Sequence, residues 1–282
     1  MKKIISLVIL AFVILQLTGC SSGWQIRADQ NMFIKNPMKK IALIGTSTVV
    51  WPRRGGQDPA IGLLSSKAGI EKIMPMFKTH LETKGYTVTF AEPIAAGMPF
   101  KSLKTHPIFE DYENKGDASK LPDLSGDDPA FVYAISNKKI QQSAIALAFE
   151  LSDAMSDRES STYHPSQSHI QAILAATDSD TVCQIRAAGW RYSSGRAAGA
   201  FFLALLTSSM ANTSDGGALG VICSDETGKV LWQDYRNIDD DPMDANIEHI
   251  VTTLKYFPHA NTPLPKTCVA EEKHKEMYRC EI

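Results

Sequence analysis

Residues 218–233 constrain the fold more than any other stretch of the chain. Ala218-Leu219-Gly220-Val221-Ile222-Cys223 and Lys229-Val230-Leu231-Trp232-Gln233 are rich in β-branched, aromatic and aliphatic residues. Between them, Ser224-Asp225-Glu226-Thr227-Gly228 holds an aspartate and ends in glycine, where a reversing backbone needs a left-handed residue. The pattern predicts a β-hairpin.

The elements around the hairpin follow from periodicity. Residues 41–45 (IALIG) read as a buried strand, and residues 46–62 as a loop. Ile70, Ile73, Met74, Phe77 and Leu81 recur at three- and four-residue spacing, which predicts a helix that Pro75 kinks or restarts and that Gly85 ends. Alternation over residues 86–90 predicts a second strand. Residues 92–130 contain Pro93, Pro99, Pro107, Pro122 and Pro129 and no periodicity, the signature of a long surface insertion. A short strand at 131–135 is expected next, then a helix at 140–155 with Ile145, Ala148 and Phe149 on one face, and a short helix at 168–176. A strand at 181–190 follows, carrying Cys183, Ile185 and Ala187 on one side. After the hairpin, Asp239-Asp240-Asp241-Pro242-Met243-Asp244 reads as the capped start of a last helix through Ile247, Ile250, Val251 and Leu254, in preference to a calcium loop. This order predicts an α/β fold, a mixed sheet flanked by helices, in one domain over residues 38–260.

The N-terminus sets the compartment. Lys2 and Lys3 precede an apolar block over residues 4–15, and Leu17-Thr18-Gly19-Cys20 follows. The block is shorter than the roughly 18–20 residues that cross a hydrocarbon core, so residues 1–19 are predicted to be a cleaved signal peptide. Leu-Thr-Gly-Cys resembles a bacterial lipobox, which implies acylation of Cys20 and cleavage before it; a plain secretion signal is the alternative. Ser21 stands where an Asp would resemble an inner-membrane retention signal, which implies the periplasmic face of the outer membrane. Residues 20–37 then read as acylated cysteine and tether, and 261–282 as a C-terminal tail.

Losing Lys2 and Lys3 leaves 27 basic against 31 acidic residues, a net charge of −4, with no basic block for nucleic acid. Beyond Cys20 the cysteines are Cys183, Cys223, Cys268 and Cys280, an even number that suits an oxidising compartment. Three pairings are open. Cys183–Cys223 and Cys268–Cys280 are favoured, the first because both residues fall on like-facing sides of predicted strands and the second because it closes a short loop in the tail. No C-x₂-C or H-x₃₋₅-H spacing supports zinc, and neither a metal nor a cofactor is expected.

Several stretches bring a family to mind. The KKIALIG strand, Gly85-Tyr86-x-Val88, Asp178-Ser179-Asp180, Asp225-x-Thr227-Gly228-Lys229-Val230-Leu231-Trp232 and Leu254-Lys255-x-Phe257-Pro258 resemble envelope lipoproteins of the α/β group. That group includes neisserial lipoproteins, the curli secretion lipoprotein and the lipoprotein activators of peptidoglycan synthases. The resemblance spans residues 40–258 and carries no catalytic residue. It implies a non-enzymatic binding, assembly or regulatory factor held on the membrane by its anchor and engaging another envelope protein. A subunit of a ring or secretion channel, and an envelope hydrolase, are the alternatives.

Catalytic patterns in the chain are partial. Ser136-Asn137-Lys138-Lys139 has S-x-x-K spacing without a following K-T-G. Thr227-Gly228-Lys229 resembles the end of a phosphate loop, but Cys223 stands where its first glycine is required. Trp51, Arg53 and Arg54 form the most contact-like loop, since Trp and Arg dominate interface hot spots. The apolar run at 197–206, within GRAAGAFFLALLTSSMA (195–211), would span about 15 Å as a helix, half a bilayer core, and does not alternate as a barrel strand does. It is expected to lie against the sheet, with docking on a partner or lipid as the alternative.

Overall fold

The computed structural model describes residues 25–51, 60–97, 131–156, 163–190, 216–238, 247–264, 268–270 and 277–281. At the centre stands β2 (Lys40–Trp51), dominated by aliphatic and β-branched residues. It pairs in parallel with β4 (Thr87–Ala96) on one side and β6 (Thr181–Trp190) on the other. From β6 the sheet continues antiparallel through β7 (Gly216–Ser224), β8 (Val230–Ile238), β1 (Gln25–Asp29), β10 (Met277–Glu281) and β9 (Cys268–Ala270). At the opposite margin β5 (Phe131–Val132) pairs the last two residues of β4, and β3 (Ala60–Ile61) pairs the end of β2. The ten strands run β5-β4-β2-β6-β7-β8-β1-β10-β9, with β3 attached to β2. Parallel neighbours require crossovers. Helix α2 (Leu63–Thr83) joins β2 to β4, and α3 (Lys138–Ser156) with α4 (Gln167–Thr177) lies between β4 and β6. The expected class, a mixed α/β sheet flanked by helices, is the fold observed.

Each face of the sheet has its own core. On one, Ile41, Leu43 and Val49 alternate inward from β2, Cys183, Ile185 and Ala187 from β6, and Leu219, Val221 and Cys223 from β7. They meet Ile70, Ile73, Phe77 and Leu81 of α2 and Ile250 of α5 (Ile247–Thr253). Gly45 of β2 lies directly beneath Ile70 and Met74, which occupy the space a side chain would need. On the other face, Ala42, Ile44, Ile94 and Val182 meet Ile140, Ala144, Leu147 and Ala148 of α3 and Ile170 and Ile173 of α4. Ile145, expected on the inner face of α3, is half-buried. Ala148, expected there, is buried, and Phe149 packs partly buried against the same core; the rest of the inner stripe is Ile140, Ala144 and Leu147.

The predicted hairpin is β7–β8. One oxygen of Asp225 accepts hydrogen bonds from the backbone N–H of Thr227 and of Lys229 and from the Thr227 hydroxyl, and Gly228 takes φ +80°. Helix α2 runs unbroken through Pro75, which sits on its exposed side, and ends at Gly85 with φ +88°.

Four boundaries differ from expectation. The stretch expected as tether contains β1 and α1 (Asn31–Ile34), and its Ala28 and Met32 are fully buried, so the packed fold begins within it. The expected loop at 46–62 is strand as far as Trp51, because Thr46, Thr48, Val49 and Val50 continue a ladder with β6 that polar hydroxyls do not interrupt. The expected insertion starts later, since β4 continues through Ile94, Ala95 and Ala96, all buried. The expected tail supplies β9 and β10, which complete the sheet beside β1.

Candidate functional site

The strand register gathers the chain's long connections on one rim of the sheet. Val50 of β2 lies opposite Trp190 of β6, so these two strands finish together, and β4 ends a little earlier, with Ala96 opposite Ser47. β7 begins at Gly216 opposite Trp190, and β8 finishes at Ile238 opposite Gly217. Residues 52–59, 98–130, 191–215 and 239–246 therefore depart from this rim. In open α/β sheets, ligand-binding groups collect at the carboxyl ends of parallel strands, where successive connections pass to opposite faces. Here α2 covers one face and α3 with α4 the other, which puts that point between β2 and β6.

Beneath the rim, β2 buries three hydroxyl residues in a row, Thr46, Ser47 and Thr48. Facing α2, the Ser47 hydroxyl donates to the carbonyl of Ser66 at 2.5 Å. The Ser66 hydroxyl donates to the Gly62 carbonyl at 2.6 Å and accepts the N–H of Val49 at 2.8 Å. These bonds splice the first turn of α2 to the end of β2. On the opposite face Thr46 and Thr48 share the surface with Gln184 and Arg186 of β6, all nearly fully buried. The Gln184 amide donates to the Tyr163 hydroxyl at 2.8 Å, which donates in turn to the Leu147 carbonyl at 3.2 Å. Burial holds the Tyr163 phenol well above its ordinary pKa, so it stays protonated as a donor. This shell offers hydroxyl, amide and guanidinium groups, which bind and orient. Ser47 and Ser66 direct their protons at main-chain carbonyls rather than at a base.

The sequence candidates are placed as follows. Cys183 and Cys223 form a disulfide between register partners of β6 and β7, with both residues fully buried. Cys268 and Cys280 lie opposite each other on β9 and β10. Trp51 ends β2 at the rim; Cys20, Arg53, Arg54 and the 195–211 run fall outside the described residues. Ser136 to Lys139 is a helix start: Asn137 accepts the N–H of Lys139 at 3.0 Å, and both Ser136 and Lys139 are exposed. Lys229, from the phosphate-loop look-alike, pairs at 2.6 Å with the buried Asp29 of β1. Among the described residues, no group of three or more His, Cys, Asp or Glu side chains could hold a metal ion, and no helix is long and apolar enough to cross a membrane.

Sequence reasoning missed Thr46, Thr48, Gln184, Arg186 and Tyr163. The alternation of β-branched residues from Thr46 to Val50 was the available signal for the first two. Tyr163 becomes part of the shell only through a contact 21 positions along the chain, which no local pattern records. Comparison with protein-family models, with curated proteins and with solved structures finds no match for this chain.

Proposed function

We propose that the protein is an outer-membrane lipoprotein, acylated at Cys20 and facing the periplasm, that serves an envelope complex as a non-enzymatic binding, assembly or regulatory factor. The observation that carries this reading is the rim: a rigid ten-stranded platform from which the long connections leave on one side. Rigid scaffolds that present several loops together are binding architectures. The buried hydroxyls below the rim tie helix to strand, a structural use of groups that a hydrolase would direct at substrate. The lipobox resemblance and a buried disulfide suit an exported protein.

Crosslinking in living cells, followed by pull-down of the acylated protein, tests the reading. One recurrent envelope protein in the adducts is the expected result. Degradation of peptidoglycan or glycan by the purified protein would replace this reading with a hydrolase. One observation favours a ring or channel subunit as the second reading. β6 and β7 end facing each other at Trp190 and Gly216, and the chain between them carries the apolar run 197–206. A stable ring of many copies after detergent extraction would establish that second reading, and a monomer or dimer would remove it.

A further inference from the structure

Helix α5 is packed on one side only. Ile250 and Thr253, with Leu254 and Phe257 just beyond them, face inward and are buried. On the outer side Ile247 and Val251, one turn apart, are 49% and 44% exposed. They are two of the four large hydrophobic side chains exposed among the described residues, so one short helix concentrates apolar surface that a globular chain normally scatters.

Charges bracket this apolar pair. Glu248 is exposed in the first turn of α5, and Lys255 is exposed just past its end, with Nζ 4.9 Å from the centroid of the Tyr256 ring. The N–H of Leu254 bonds to the Ile250 carbonyl and that of Lys255 to the Thr252 carbonyl, so the helical course continues as far as Lys255. Residues 248, 251, 252 and 255 therefore recur at the three- and four-residue spacing that puts side chains on one helix face. A stripe with an acid at one end, apolar surface in the middle and a base at the other end is complementary to itself when turned end for end. A two-fold axis between residues 251 and 252 sets Glu248 opposite Lys255 of the partner subunit, twice, and brings the two copies of Val251 together at the centre. Glu248 also makes a contact within its own chain; a carboxylate has about four acceptor sites and accommodates a second cation.

We infer that the outer face of α5 is a docking surface for α5 of a second copy of the chain, in antiparallel pairing. An unrelated partner gives no reason for acid and base to stand at mirrored positions, and an anionic lipid surface would be opposed by Glu248. Size sets the strength of the contact. The stripe is about 10 Å long at about 1.5 Å per residue, so pairing buries far less than the roughly 1,000 Å² of a stable interface. Copies free in solution stay apart, whereas copies held in one membrane plane are concentrated enough to pair. The inference rests on the anchor reading above and adds a second copy to the partners of the protein.

The test uses the acylated full-length protein in vesicles of phosphatidylethanolamine and phosphatidylglycerol, mixed with an equal part carrying heavy nitrogen. A carbodiimide, which joins amines to carboxylates in direct contact, is expected to link Lys255 to Glu248 in peptide pairs of mixed isotope content. Links confined to single copies would overturn the pairing. Energy transfer between donor-labelled and acceptor-labelled copies then reads association. Glu248→Lys and Lys255→Glu should each weaken it by roughly tenfold, because each turns both symmetry-related pairs repulsive. Mixing the two variants should restore it, since one copy then offers two cations to two anions of the other. Both positions are exposed, so the unfolding midpoints should stay near wild type. Transfer that neither reversal changes, or a mixture no better than its components, would overturn the antiparallel seam. Floating protein without transfer would remove the pairing alone, and protein that fails to float would remove the anchor and the pairing with it. Carbodiimide adducts in isolated envelopes that join Glu248 or Lys255 only to another protein would assign the surface to that partner and sink the proposal.

Discussion

Gly45→Ala puts a number on the closeness of α2 to β2. A Cβ at this position would lie 2.3 Å from Sδ of Met74, 2.9 Å from Cδ1 of Ile70 and 3.2 Å from Cγ of Met74. Met74 and Ile70 are both essentially buried, so neither can swing into solvent. Forcing an added carbon into such a core costs about 1–3 kcal/mol. Alanine in a strand recovers about 0.5–1 kcal/mol of the backbone entropy that glycine loses on folding. The net expectation is a loss of about 1–2 kcal/mol, and in a domain of this size each kcal/mol moves Tm by about 2–4 °C. The assay is urea and thermal unfolding of the purified protein, run as a double-mutant cycle with Met74→Ala. Met74→Ala alone should cost about 2–5 kcal/mol for the cavity it leaves. The new methyl group partly fills that cavity, so the double variant should be more stable than the sum of the two losses by about 0.5–3 kcal/mol. Strict additivity, or a Gly45→Ala protein that melts like wild type, would refute the close contact of helix and strand.

Replacing Cys183 and Cys223 together by Ala should lower the urea midpoint by the equivalent of about 4 kcal/mol, the chain-entropy value for a sequence separation of 40; an unchanged midpoint in non-reducing buffer counts against a structural disulfide. Asp180→Ala should cost about 1.5–3 kcal/mol, since its carboxylate accepts the N–H groups of Lys39 and Lys40 and the Thr181 hydroxyl where β2 and β6 begin; Asp180→Asn with full stability would show the charge to be irrelevant there. Burial first, then Lys84 and His259, lower the pKa of His80 below the ordinary histidine value of 6.5. A lowered folded-state pKa means that the unfolded chain binds the proton more readily, so stability is present above pH 6.5 and falls as pH drops through the folded-state pKa. His80→Gln should flatten that acid limb in unfolding curves taken across the range, and an unaltered slope would assign it to other groups. Cys20→Ala should abolish palmitate labelling and release the protein from the membrane fraction; retained labelling would disprove acylation at that thiol.

What could be read from the sequence was what neighbouring residues decide among themselves. The β7–β8 hairpin was legible because Asp225 and Gly228 build their own turn. Helix α2 was legible because Ile70, Ile73, Phe77 and Leu81 share one face. β10 was not, because the alternation in Tyr278-Arg279-Cys280-Glu281 is too short to stand out and the segment becomes a strand only through pairing with β1 at the far end of the chain. The polar shell failed for the same reason. Thr46, Ser47 and Thr48 look like loop residues until the ladder to β6 satisfies their backbone, and Gln184 looks like a solvent-facing strand residue until Tyr163 is placed over it. At the rim, Trp51 stood out by residue type alone, whereas Trp190 gained meaning only once the register set it beside Val50.

The pairing of β1 with β10 also governs the order of events when the chain folds. β1 is held between β8 and β10, with Gln25 opposite Glu281, so the first strand is enclosed only by the last five-residue segment. Closing so long a separation is slow compared with forming a local hairpin. Until β10 is made and docked, one side of β1 offers unsatisfied N–H and C=O groups, the kind of surface on which chains aggregate. A product truncated before residue 277 would keep the β2–β4–β6 centre yet carry that open side permanently. Such a product is expected to depend on chaperones, and so to be lost to aggregation or proteolysis, even though both helix-covered cores of the described residues are drawn from segments that it keeps.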